Sequence, residues 1–151
     1  MYKYDYIDEI SNGAFSICNL YKKNDFKFAI KIPNDSHFCD SYNELKEIIC
    51  LKILSHENII NIEEIIVNEN KINLVYEYYE NELKDFIKNN DEKLRDNLVV
   101  PLMQQLFSAV HHMHSLNIIH TDLKDSNILV DNSNGFKIKI IDFGSCYIEN
   151  L

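Results

Sequence analysis

The spacing of apolar residues changes several times along this chain, and each change narrows the folds open to it. Over the first third, Tyr4 to Ile10, Ser16 to Tyr21 and Phe26 to Ile32 have the alternating character of strands, and Lys22-Lys23-Asn24-Asp25 is a polar turn between the last two. From Ser41 to Leu54 the period becomes helical, with Leu45, Ile48 and Ile49 on one side and Glu47, Leu51 and Leu54 on another. Strand character returns over Ile59 to Val67 and Lys71 to Tyr78, around Asn68-Glu69-Asn70. An antiparallel sheet of about five strands carrying one helix is therefore expected. After Tyr79 the spacing is helical again, weakly over Leu83 to Lys88 and strongly over Leu98, Leu102, Leu106, Ala109, Val110, Met113 and Leu116. Asp96 or Asn97 is the expected cap of this helix, because Pro101 is tolerated only in a first turn. Asn127 to Val130 and Phe136 to Ile141 read as a closing hairpin around Asn134-Gly135. The expected class is α+β, with a β-rich unit over residues 1–79 and a helical one over 80–151.

A length of 151 residues allows one ordinary domain, and 46% hydrophobic with 26% charged residues excludes a disordered or fibrous chain. Fifteen basic against 24 acidic residues leave a net charge of −9, which argues against nucleic acid and anionic membrane surfaces and in favour of a basic partner. No apolar run is long enough to span a bilayer, and MYKYDYIDEI is neither a basic leader nor a hydrophobic block. An intracellular location, cytoplasmic or nuclear, is expected. Cys18, Cys39, Cys50 and Cys146 contain no CxxC pair, so the expectation is four reduced, mostly buried thiols. His111, His112 and His114 read as polar helix surface, and the Glu63-Glu64 and Lys22-Lys23 pairs as solvated turns.

Chemistry concentrates in one loop. His120-Thr121-Asp122-Leu123-Lys124-Asp125-Ser126-Asn127 brings together a carboxylate that can accept a hydroxyl proton, a lysine that can neutralise a phosphate oxygen, and an amide oxygen that can ligate a hard cation. Fifteen residues beyond Asn127, Asp142-Phe143-Gly144 offers a second oxygen ligand, and such a pair suits magnesium shared with nucleotide phosphates. His120 reads as a buried, hydrogen-bonded scaffold residue. Upstream, Phe28-Ala29-Ile30-Lys31 places a lysine on a strand, with Lys31 and Ala29 expected on opposite faces and Glu47 of the helix as its counter-ion. Ile10-Ser11-Asn12-Gly13-Ala14-Phe15-Ser16-Ile17-Cys18 joins two strands through small residues, so its backbone can approach phosphates.

Together these segments resemble the eukaryotic protein kinase catalytic domain: Gly13 in the loop, Lys31 in a VAIK-like FAIK, Glu47, HTDLKDSN and DFG stand in the family's order. The resemblance implies a two-lobed kinase fold, here the whole first lobe and the opening of the second, with ATP and Mg2+ as cofactors. It makes Asp122 the catalytic base, Lys124 a γ-phosphate contact, and Asn127 with Asp142 the metal ligands. Lys31 would hold the α- and β-phosphates, oriented by Glu47. Adenine would lie among Ile10, Cys18, Ala29 and Leu129, bonded to the hinge Glu77-Tyr78-Tyr79, with Tyr76 guarding the back pocket. Lys124 resembles the serine/threonine type, which implies a protein substrate. Glu47-Ile48, Leu51-Lys52, His56, Asn58-Ile59 and Leu74-Val75-Tyr76-Glu77 resemble cyclin-dependent kinases of the CMGC group, whereas Thr121, Asp85-Phe86-Ile87-Lys88 and Ser145 resemble LAMMER and SR-protein kinases.

The departures matter as well. Ser11 and Ser16 replace two loop glycines, Asp125 stands where the family has proline, and Thr121 removes the arginine that would pair with a phosphorylated activation loop. The sequence given ends seven residues after Gly144, before any activation segment, so the strong helix is expected to expose an apolar face; either the sequence is a fragment or truncated gene product, or another chain supplies the rest. Two other readings fit parts of this pattern. One is a nucleotide-binding or scaffold module without turnover. The other is a small-molecule kinase of the aminoglycoside or choline type, against which Lys124, the DFG segment and the hinge weigh.

Overall fold

The computed structural model describes residues 3–34, 41–68, 71–132 and 135–149. Strands β1 (Asp5–Asn12), β2 (Ser16–Lys23), β3 (Phe26–Pro33), β4 (Ile62–Asn68) and β5 (Lys71–Glu77) form one antiparallel sheet in the order β1-β2-β3-β5-β4. The β2–β3 register pairs Lys23 with Phe26, so only Asn24 and Asp25 make the turn, with Asn24 at φ 56, a conformation that asparagine tolerates. On β3, Ile30 packs with Tyr4 and Val75, while Ala29 packs into the cluster on the other side of the sheet. Lys31 reaches that second side too, so it and Ala29 share a face; the expectation of opposite faces fails because strand positions two apart point the same way.

Helix α1 (Ser41–Ile53) lies against that face and presents Glu47, Cys50 and Leu51 to it, with Leu54 just beyond, while Leu45 is exposed. The chain then crosses to the second half of the molecule. The Ile140 N–H donates to the Asn58 carbonyl and the Ile60 N–H to the Ile140 carbonyl, so residues 58–60 are committed to that contact and β4 begins at Ile62, later than the apolar run suggests. Glu63 and Glu64 belong to β4 instead of a turn, and Lys23 ends β2 with its Nζ 3.5 Å from Glu64 Oε2. The Tyr4 hydroxyl donates to that same oxygen at 2.6 Å, tying the first residues to the opposite edge of the sheet.

Beyond β6 (Asn81–Glu82) come α2 (Leu83–Asn89), α3 (Glu92–Ser115), β7 (Ile118–Ile119), a 3-10 turn at Asp125–Asn127, β8 (Ile128–Asp131), β9 (Lys137–Ile140) and β10 (Tyr147–Ile148). Helix α3 starts earlier than expected and carries Pro101 in its interior, where a lost backbone bond and a ring clash cost about 3 kcal/mol. Packing outweighs that cost: Leu98, Leu102 and Leu106, on both sides of the proline, cover Leu83, Phe86, Ile128, Val130 and Ile138. β8 and β9 form the expected hairpin, with Gly135 at φ 92; Asn134, Glu69, Asn70 and Cys39 lie outside the described residues. The main core joins both halves through Leu54, Ile59, Leu74, Met113, Ile118, Ile140 and Phe143. Cys50 and Cys146, both in this core, form a disulfide, which corrects the expectation of four reduced thiols. A separation of 96 residues left no trace of this pairing in the sequence, because only the folded chain brings α1 beside the turn after Gly144. Cys18 is free and half-buried. Among the described residues no helix is long and apolar enough to cross a membrane.

Candidate active site

Lys31 projects from β3 towards α1. Its Nζ donates to Glu47 Oε2 at 2.7 Å and to Asp142 Oδ1 at 2.9 Å, so one ammonium bridges the sheet, the helix and the segment after β9. Burial opposes charge on this lysine, but the carboxylates of Glu47 and Asp142 outweigh it and hold its pKa well above the usual lysine value. Lys31 is therefore cationic throughout the neutral range. Cys18, opposite Lys31 on β2, has its thiol pushed up to about 11, chiefly by burial; Lys31 opposes this rise and Glu47 adds to it.

The second group sits in the loop between β7 and β8. Asp122 Oδ2 accepts from Lys124 Nζ at 2.8 Å and from Asn127 Nδ2 at 3.0 Å, and Asn127 Nδ2 also reaches the Asp122 carbonyl at 2.8 Å. Those bonds, led by that from Lys124, hold the Asp122 carboxyl below its ordinary pKa, so it is ionised at neutral pH. His120 fixes the loop from within: buried, it contacts the Ile141 carbonyl through Nε2 at 2.8 Å and accepts from the Asp122 N–H through Nδ1 at 3.3 Å. With the ring also edge-on to Phe143, His120 is the scaffold residue expected.

These two groups meet through the backbone. The Ile141 N–H donates to the Asn127 carbonyl at 3.0 Å, so the residue that precedes Asp142 is tied to Asn127. Asp142 itself has φ 67 and Thr121 φ 68, left-handed conformations that cost about 1 kcal/mol or more in a residue with a side chain. Thr121 is held there by its hydroxyl, which donates to the Ser145 carbonyl at 2.8 Å. Two further links bind the same segment, β10 pairing with β7 and the Glu149 N–H donating to the Asn117 carbonyl. Thr121→Val keeps the shape and deletes the donor; exchange of the Glu149 amide is expected to quicken by about fivefold, read by hydrogen–deuterium exchange.

The remaining candidates fall around these groups. Ile10, Ser11 and Asn12 end β1, Ser16, Ile17 and Cys18 begin β2, and between them the Gly13 N–H donates to the Ser16 carbonyl while Asn34 Nδ2 holds the Gly13 and Ala14 carbonyls. Ala14 and Phe15 of this turn are exposed, as is Asn12. Ala29 lies across from Tyr76 on β5, Leu129 lies on β8 against Glu82, and Glu77 ends β5 with Tyr79 Oη on its carboxylate at 2.9 Å. Two of the contacts that escaped the sequence are made by hydroxyls. One is the Tyr76 hydroxyl bond to Glu47 Oε1 at 2.8 Å; the other is the Thr121–Ser145 bond. Spacing places a side chain on a face, but it does not report which acceptor a hydroxyl meets there.

A five-stranded antiparallel sheet whose central lysine is paired to a single helix, set over a loop that gathers an aspartate, a lysine and an asparagine, is the architecture of a protein kinase domain. The protein kinase domain family model matches residues 4–150, and the chain belongs to that family. It is 33% identical over 149 residues to a probable serine/threonine-protein kinase of Dictyostelium discoideum, an alignment covering 95% of this chain and 28% of that protein. It is also 40% identical over 103 residues to cyclin-dependent kinase 1 of Encephalitozoon cuniculi, covering 66% of this chain and 34% of that one. The chain thus spans about a third of the length of these curated relatives.

Proposed function

We propose that this protein is an ATP- and magnesium-dependent serine/threonine protein kinase, with residues 1–79 as the nucleotide-binding lobe and 80–151 carrying the catalytic loop. The observation that carries the reading is the double contact of Lys31 with Glu47 and Asp142, which joins the strand lysine, the helix and the DFG segment at one point. The donor set fits magnesium: Asp142 supplies a carboxylate, and Asn127, whose amide nitrogen is engaged by Asp122, leaves its oxygen as the end available to a hard cation. Bound there, magnesium would neutralise phosphate charge, and ATP would supply the phosphoryl group.

The chain's own residues do the rest. Lys31, kept charged, fixes phosphate oxygens in the place set by Glu47. Asp122, kept ionised, accepts the proton of a serine or threonine hydroxyl, and Lys124 beside it offsets negative charge as the phosphoryl group moves. Ile10, Cys18, Ala29 and Leu129 line the adenine position, with the hinge backbone at Glu77 and Tyr79 as its polar partners, and the turn from Ser11 to Ile17 covers the phosphates. The named cyclin-dependent relative supports a place in the CMGC group, and Thr121 with Ser145 supports the LAMMER side of it. An excess of acidic residues suits a basic protein substrate, and an intracellular location follows from that use of ATP. Val99, Val100 and Phe107, exposed on α3, offer the face on which a further chain would pack.

Calorimetric titration with magnesium-ATP tests the reading. The wild-type chain is expected to bind, and Lys31→Met to bind about tenfold or more weakly, having lost a charged phosphate contact. Equal heats for the two proteins would overturn it. Transfer of labelled phosphate to a basic protein is expected alongside; binding without transfer selects the non-catalytic module, and transfer to a small alcohol alone selects the small-molecule kinase.

A further inference from the structure

Glu47 is only 2% exposed, so each of its carboxylate oxygens needs a donor within the protein. Lys31 satisfies Oε2. The donor at Oε1 is Tyr76, whose hydroxyl lies 2.8 Å away and whose ring is buried on β5. Tyr76 pairs with Ala29 across the sheet, two positions before Lys31 and on the same face, so the donors to Glu47 come from neighbouring strands. A carboxylate held at one oxygen can still turn about its last torsion, which is broad. Held at both, from two strands of one sheet, it cannot turn without breaking a buried bond. Helix α1 is thereby pinned at the height where Glu47 meets Lys31.

We propose that Tyr76 is a positioning residue for phosphoryl transfer, its hydroxyl holding Glu47 so that Glu47 in turn directs Lys31 at the nucleotide phosphates. This rests on the kinase reading above. The role differs from guarding the back pocket, which needs only the ring; it depends on one oxygen atom. Burial, with the charge of Glu47 adding to it, pushes the Tyr76 hydroxyl far above its ordinary pKa, so the donor persists at any working pH. Tyr76→Phe preserves the ring and its packing against the core. It leaves Oε1 buried without this donor, and the nearest remaining cation is Lys31, already shared with Asp142. Any turn of the carboxylate towards a new partner moves the lysine.

The test uses the 151-residue chain, magnesium-ATP titrated by calorimetry, thermal melting, and acylation of Lys31 by an amine-reactive ester read by mass spectrometry. Tyr76→Phe is expected to weaken ATP binding about fivefold and to speed Lys31 acylation by a similar factor. Introduced into Glu47→Ala, the same substitution is expected to change ATP affinity by less than about twofold, because the group it positions is gone. A merely structural tyrosine would lower the melting temperature alike in both backgrounds and leave Lys31 reactivity alone. ATP affinity unchanged in Tyr76→Phe, or an equal loss with and without Glu47, would overturn the proposal. A wild-type chain that binds no ATP would overturn the kinase reading and this proposal with it, a result distinguished by needing no variant.

Discussion

Asp122→Asn is expected to lower phosphate transfer to a basic serine-containing protein by about 100- to 10,000-fold, the range that a general base supplies, while ATP affinity stays within about twofold. The asymmetry follows from the contacts. Asp122 bonds Lys124 and Asn127, both in its own loop, and no bond joins it to Lys31 or Glu47. Asparagine keeps the size and an acceptor oxygen for Lys124, so the loop should hold its shape, yet its amide cannot take a hydroxyl proton. The pH profile gives a second readout. The carboxyl is held below its ordinary pKa, so the base is lost only as pH falls through that lowered value, and the wild-type rate should stay level across the normal carboxylate range. Full transfer by Asp122→Asn with an unchanged acid limb would remove this residue from the chemistry.

How much of this was legible depended on whether the signal was local. Strand period, helical period and the order of the motifs were readable, since each is a property of neighbours in sequence; β2, β3 and α1 therefore lie close to their expected bounds. The start of β4 was not readable, because Asn58 and Ile60 spend their backbone groups on Ile140, a partner 80 or more residues away. β7 and β10 are two residues each and have no period to detect. Pro101 misled for the opposite reason: a strong local rule was overridden by the packing of Leu98, Leu102 and Leu106. In the candidate site the residue types were readable from their order, whereas the double contact of Lys31, the Tyr76 bond and the backbone link from Ile141 to Asn127 depend on three-dimensional closure.

Asp142→Asn should uncouple the metal from the nucleotide. In the wild type magnesium is expected to strengthen ATP binding, since a carboxylate and the Asn127 amide oxygen would share the cation with phosphate oxygens. Asparagine is nearly isosteric, and at φ 67 it is one of the few side chains that tolerate the left-handed conformation, so the backbone at this point need not move. Only the charge is removed. Titrations with ATP in magnesium and in EDTA should then give the same affinity, within about twofold, where the wild type shows a difference of about tenfold or more; transfer should fall at least as far as in Asp122→Asn. A companion effect separates a lost ligand from a disturbed fold. Lys31 would keep Glu47 as its single carboxylate partner, so the upward pull on its pKa weakens and its acylation rate at neutral pH rises, whereas the melting temperature holds because Glu47 remains paired. If magnesium strengthens ATP binding in Asp142→Asn as it does in the wild type, the cation lies elsewhere, and Asp142 serves only as the second carboxylate partner of Lys31.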